Sequence, residues 1–122
     1  MMSKDAQFLE SDIYALQARL VSFNRERDWD QFHSPRNLAM SLSVEAAELL
    51  EHFLWVRDGE GIPDEKRGAL AEEAADVLIC LLNLCTQAGL DLPAAFEDKL
   101  MKNAKKYPVE KAKGSAKKYN EL

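Results

Sequence analysis

The stretch Glu73-Ala-Ala-Asp-Val-Leu-Ile-Cys-Leu-Leu-Asn-Leu-Cys-Thr-Gln-Ala-Gly89 decides the fold. It lacks proline, shows no period-2 alternation and closes on a glycine. It therefore reads as the end of a helix running from about Asp64 to Ala88, with Gly89 as its C-terminal stop. The run Val77–Cys85 is apolar around nearly the whole helix circumference. A helix that is hydrophobic all round is buried on all sides. Four short helices of one chain cannot cover it fully, so the sequence predicts a partner subunit in preference to a monomeric bundle. The same run is too short to span a bilayer, and it contains Asn83.

Working outward, three more helices are expected. Helix 1 spans about Asp5 to Arg27, with Leu9, Ile13, Leu16, Leu20 and Phe23 at three- and four-residue steps. A polar loop, Asp28-Trp-Asp-Gln-Phe-His33, follows it. Ser34-Pro35 then supplies a cap and a first-turn proline for helix 2, predicted to continue to about Val56 and stop in 57–63. Pro93 opens helix 4, which ends before Pro108 because the residue preceding proline disfavours helical geometry. Residues 109–122 offer little to bury and read as a basic, mobile tail after a folded domain of residues 1–108. The fold class is all-α, a four-helix bundle assembled through subunit interfaces.

The length of 122 residues suits one domain, and a 47% hydrophobic content excludes disorder. The net charge is -5, which argues against binding a nucleic-acid duplex. That average conceals a division. Residues 1–27 are neutral, 28–98 carry a net -11, and 99–122 carry 8 lysines against 2 glutamates. Such asymmetry calls for a cause: either solvated surfaces, or a cation site whose anionic ligand the lysines also touch. Cys80 and Cys85 form neither a CxxC pair nor a disulfide framework, so they read as thiols of a reducing compartment. The N-terminal stretch lacks the apolar run of a signal peptide. The expected location is the cytoplasm, with no membrane partner.

Helix 2 contains Glu45-Ala-Ala-Glu48, and helix 3 contains Glu73-Ala-Ala-Asp76. At i,i+3 spacing each pair lies on one side of its helix. Glu45 shares the stripe of Leu38, Leu42, Leu49 and Phe53, and Glu73 that of Leu70, Val77 and Leu84. Carboxylates bordering a core are costly unless paired. No Lys or Arg lies between Asn37 and Val56, or between Ala69 and Lys99. A divalent cation is the simplest compensation, and oxygen-only ligands suit Mg²⁺ or Mn²⁺. A di-iron bundle needs Glu-x-x-His pairs; His33 and His52 are the only histidines, and neither stands three residues after a Glu.

The ExxE and ExxD pairs resemble the acidic signature of the all-α nucleoside triphosphate pyrophosphohydrolases, the MazG-like group. Further blocks are similar to its dCTP pyrophosphatase branch. These are Arg27–Leu38, His52-Phe-Leu-Trp55, Glu72–Ile79 and Lys102-Asn-Ala-Lys-Lys-Tyr-Pro108. The likeness covers about residues 10–108. It implies Mg²⁺-dependent hydrolysis of a nucleoside triphosphate to monophosphate and pyrophosphate, by a dimer of dimers. Glu45, Glu48, Glu73 and Asp76 would be the catalytic residues and metal ligands.

By the same resemblance, the loop Trp29, Asp30, Gln31, Phe32 and His33 would form the nucleoside pocket, with Trp55 as a second aromatic wall. Lys99, Lys102, Asn103 and Tyr107 match positions that contact phosphate and base. Cys80 stands where the vertebrate dCTP enzymes carry Tyr, and Leu20 where they carry His, so a roomier and less polar pocket is expected. The implied substrate is dCTP or a modified dCTP, removed from the nucleotide pool. The alternatives are another deoxynucleotide or a noncanonical triphosphate, or a non-catalytic helical interaction module.

Overall fold

The structure is a computed structural model that describes residues 12–122. The described residues are helical or irregular, with no strand among them: α1 Ile13–Glu26, α2 Pro35–Glu51, α3 Asp64–Ala88, α4 Leu92–Lys106 and the one-turn α5 Val109–Ala112. The all-α expectation holds. The chain divides into two compact units at Leu90/Asp91.

In the first unit, α3 is the element on which both α1 and α2 pack. Asp12 caps α1 by accepting the Ala15 N–H at 2.8 Å, an interaction of about 1 kcal/mol in typical helices. Asp12 itself is extended, so the described helix begins at Ile13; residues 5–11 of the predicted helix lie outside the described residues. Leu9, assigned to its apolar stripe, lies outside the described residues. Ser34 caps α2 through the Asn37 N–H, with Pro35 in the first turn, as the sequence predicts. Gly89 closes α3 in the left-handed conformation (φ 67°), the geometry that favours glycine.

One boundary is corrected. Helix α2 ends at Glu51, five residues before the predicted Val56. The N–H groups of His52, Phe53, Leu54 and Val56 bond three residues back, giving tight turns in place of helix. Phe53, Trp55 and Val56 are weak helix formers.

The fully buried core is small. Leu38, Leu82 and Cys85 are its apolar members, with Asn24 and Asn83 as buried polar ones. Met40, Val44 and Leu50 of α2, and Leu78 and Ile79 of α3, keep more than a third of their surface exposed. The apolar run of α3 is thus only partly covered within the chain.

In the second unit, Asp91 caps α4 through the Ala94 N–H, with Pro93 in its first turn. The segment 109–122, read from sequence as a mobile tail, carries local order. It contains α5, a reversal at Gly114 (φ 77°) and a 3₁₀ turn over Tyr119–Glu121.

Candidate active site

Helices α2 and α3 bring acids from both predicted pairs together. One ligand oxygen each from Glu45, Glu73 and Asp76 lies within 4.8 Å of the others. Glu45 and Glu73 are half-buried, Asp76 is exposed, and Glu48 is exposed beside them. Glu45 Oε2 and Glu73 Oε1 are buried without a hydrogen-bond partner among the described residues. Leaving such oxygens unpaired costs about 1–3 kcal/mol each in general. A bound cation removes that cost, so the donor set fits a hard divalent ion such as Mg²⁺.

Crowding also shows in proton affinity. The Glu73 carboxyl is pushed up from 4.5 to about 7, chiefly by a hydrogen bond with the Glu48 carboxyl, then by desolvation and Glu45. Glu45 is held above its usual value as well. Hydrogen bonding with Glu73 pulls it down, but desolvation, Glu48 and Asp76 outweigh that. Like charges this close cannot all ionise without a counter-ion.

Beside the acids lies a cavity of about 640 Å³. Trp29, Phe32 and His33 line it, as do Leu20, Leu78, Ile79 and Cys80. The loop is set by identifiable contacts. The Trp29 N–H donates to the Asn24 carbonyl at 3.0 Å. The Trp29 ring meets Phe23 edge-on at 5.6 Å, and Arg27 covers the Phe23 ring at 3.6 Å. Asn37 Nδ2 donates to the Phe32 carbonyl at 3.3 Å, tying the loop to α2. Half-buried His33 presents Nδ1 without a partner among the described residues.

Two groups join α3 to this cavity. Cys80 lines it and also feels the charges of Glu45 and Asp76; burial foremost, then those charges, push its thiol up. Asn24 Nδ2 donates to Asn83 Oδ1 at 3.0 Å, a buried amide pair on the cavity wall. Sequence reading passed over Asn24. Its signal was Asn83, a lone amide inside an apolar run that needs a partner.

The remaining candidates sit elsewhere. Asp30 and Gln31 are exposed in a 3₁₀ turn, outside the cavity lining, and Gln31 Nε2 is tied back to the Asp28 carbonyl at 2.9 Å. Trp55 is 95% exposed. It lines a second cavity of about 610 Å³, with Glu48, His52, Lys66 and Glu73, so it does not wall the Trp29 cavity within this chain.

Lys99, Lys102, Asn103 and Tyr107 belong to the second unit, on α4 and its C-cap. Lys102 pairs with Asp98 at 2.8 Å, which raises its proton affinity. An exposed pair of this kind is weak and easily exchanged for another anion.

The MazG-like family matches residues 40–122, a span that contains the whole acidic set. The chain is 45% identical over 106 residues to dCTP pyrophosphatase 1 of Homo sapiens, covering 84% of this chain and 62% of that one. It is 44% identical over 106 residues to dCTP pyrophosphatase 1 of Bos taurus, covering 84% and 63%. The chain thus spans somewhat under two thirds of the length of these curated relatives. The crystal structure of a pyrophosphatase from Archaeoglobus fulgidus superposes with a TM-score of 0.69 at 42% identity, over 79% of this chain and 92% of that one. With acids from both pairs meeting across α2 and α3, and a match spanning that arrangement, the chain belongs to the MazG-like family.

Proposed function

We propose that this chain hydrolyses a deoxynucleoside triphosphate, dCTP or a modified dCTP foremost, to the monophosphate and pyrophosphate, clearing it from the cytoplasmic nucleotide pool. The observation that carries the reading is the meeting of Glu45, Glu73 and Asp76 beside an aromatic-walled cavity. The 45% identity to dCTP pyrophosphatase 1 supports the substrate class.

In this reading Glu45, Glu48, Glu73 and Asp76 hold Mg²⁺, with Mn²⁺ as a substitute. The ion supplies charge neutralisation along the phosphate chain and polarisation of the phosphoryl oxygens. Trp29 and Phe32 offer flat apolar faces to the base, and His33 Nδ1 a hydrogen-bonding atom. Asp30 and Gln31 shape the loop. Lys99, Lys102, Asn103 and Tyr107 meet phosphate and base. A carboxylate not committed to the metal orients the attacking water and accepts its proton. The chain works as a dimer of dimers, which would cover the apolar surface left open on α2 and α3. Reduced Cys80 and Cys85 suit the cytoplasm.

A pyrophosphate-release panel over canonical and 5-substituted deoxynucleotides, with Mg²⁺ and with a chelator, tests the reading. Release from dCTP or its analogues that stops with the chelator, or on Glu73→Ala, is expected. Silence toward every triphosphate in the presence of Mg²⁺ would sink it. A substrate profile led by another base would move the specificity to the neighbouring reading, a pyrophosphohydrolase for a different deoxynucleotide.

A further inference from the structure

The end of the chain folds back on the end of α4. Past Tyr107 the backbone turns at Pro108 into α5, then reverses at Gly114, whose φ of 77° suits a residue without a Cβ. The Ser115 N–H bonds the Ala112 carbonyl at 3.0 Å, and the Lys117 N–H bonds Ser115 Oγ at 3.2 Å. This path delivers Tyr119, in a 3₁₀ turn, to two adjacent residues. Its ring meets Tyr107 edge-on, centroids 6.2 Å apart and planes 86° to one another. Lys106 Nζ stands 4.8 Å from the centre of the same ring.

Both contacts have a direction. An edge-to-face pair restricts the partner's ring rotation, and a cation over a ring face fixes the end of a flexible lysine. Helix geometry gives neither residue that constraint. Tyr107 has already left helical geometry (φ -122°, ψ 64°), and Lys106 is the last helical residue. The grip engages the Tyr107 ring.

We propose that Tyr119 is a positioning residue. By holding Tyr107 and Lys106 it sets the ligand-facing end of α4, so that residues 114–122 belong to the substrate site. This rests on the reading of Tyr107 as a substrate contact. Tyr119 itself touches no substrate; it lowers the conformational freedom that Tyr107 would otherwise lose on binding.

The experiment compares the full chain with Tyr119→Ala, Tyr119→Phe and Tyr119→Leu, measuring KM and kcat for dCTP with Mg²⁺, and Tm. Tyr119→Ala should raise KM about 3- to 10-fold with kcat within about twofold. Tyr119→Phe, which keeps the ring, should restore KM. Tyr119→Leu, which keeps apolar cover without the ring, should behave like Tyr119→Ala and serves if the alanine variant fails to fold. An active parent whose KM is unmoved in both the alanine and leucine variants overturns this proposal alone. A common loss of kcat and Tm that phenylalanine does not rescue also overturns it, because that pattern marks a merely structural role. An inactive parent overturns the functional reading and this proposal with it.

Discussion

Glu45 on α2 and Glu73 on α3 face each other, each with one buried carboxylate oxygen that finds no hydrogen-bond partner among the described residues. The pair is therefore sensitive to pH. Glu73 has its carboxyl raised from 4.5 to about 7, first by Glu48, then by desolvation and Glu45. A carboxyl that binds its proton more tightly when folded stabilises the fold fully below its unfolded value. That contribution is lost as pH rises through the folded value. The metal-free protein should therefore lose Tm between about pH 4.5 and 7. Added Mg²⁺ should restore it above pH 7 and have little effect near pH 5, where the proton competes. Calorimetry with and without chelator checks both halves; a metal-free Tm that climbs steadily over this window would contradict the assignment.

The same geometry predicts opposite effects of one substitution on stability and on activity. Glu73→Gln removes a like charge from the cluster while keeping its shape. The metal-free Tm at pH 8 should hold or rise. The Mg²⁺-induced gain in Tm should vanish, and pyrophosphate release should fall at least about 100-fold, the scale of losing several kcal/mol of electrostatic stabilisation. Paired calorimetry and kinetics decide the matter. An active variant with intact Mg²⁺ response would remove Glu73 from the metal set.

Periodicity and capping made the middle of the fold legible. Ser34-Pro35 and Gly89 mark helix ends through local chemistry, and both hold. The acids were legible because a charge bordering an apolar stripe conflicts with burial. The end of α2 was not, since Phe53–Val56 continues the apolar pattern and only the loss of helix propensity stops it. The surroundings of Trp55 were not legible either, because they depend on where that helix stops. The Asn24–Asn83 bond, 59 residues apart in sequence, depends on how α1 docks on α3, which no local pattern encodes.

Trp29 should contribute to binding more than to chemistry. It lines the cavity at 43% exposure, with one edge held by Phe23. Trp29→Ala should raise KM for dCTP about 10-fold and leave kcat within about threefold, as expected for losing an aromatic contact. Trp55→Ala makes the informative contrast, because Trp55 is absent from that cavity lining. Assayed at low protein concentration, where any assembly is loosened, it should change KM less than Trp29→Ala does. Steady-state kinetics on both variants checks the ordering.

The exposed apolar surface carries the prediction about assembly. Val44 and Leu50 are 55% and 59% exposed on α2, and Ile79 is 40% exposed on α3. Exposed apolar positions of this density mark an association surface when they are contiguous. If a second copy covers Leu50, a buried carboxylate there has no compensating partner. Leu50→Glu should then shift the mass measured by light scattering from the oligomer to a smaller species, with helicity by circular dichroism retained. In a monomer the same change lies on open surface and should alter stability by no more than about 0.5 kcal/mol.

Asn24 and Asn83 complete the set, because their bond is buried on the wall of the cavity. Asn83→Leu strands the Asn24 amide, and an unpaired buried amide costs about 1–3 kcal/mol. Removing both partners deletes the stranded group along with the bond. The double variant Asn24→Leu/Asn83→Leu should therefore be destabilised by less than the sum of the two single changes. Urea unfolding of the four proteins gives the coupling. Strict additivity would mean that the amides are satisfied separately, by water in the cavity, and that the 3.0 Å bond contributes nothing of its own to the docking of α1 on α3.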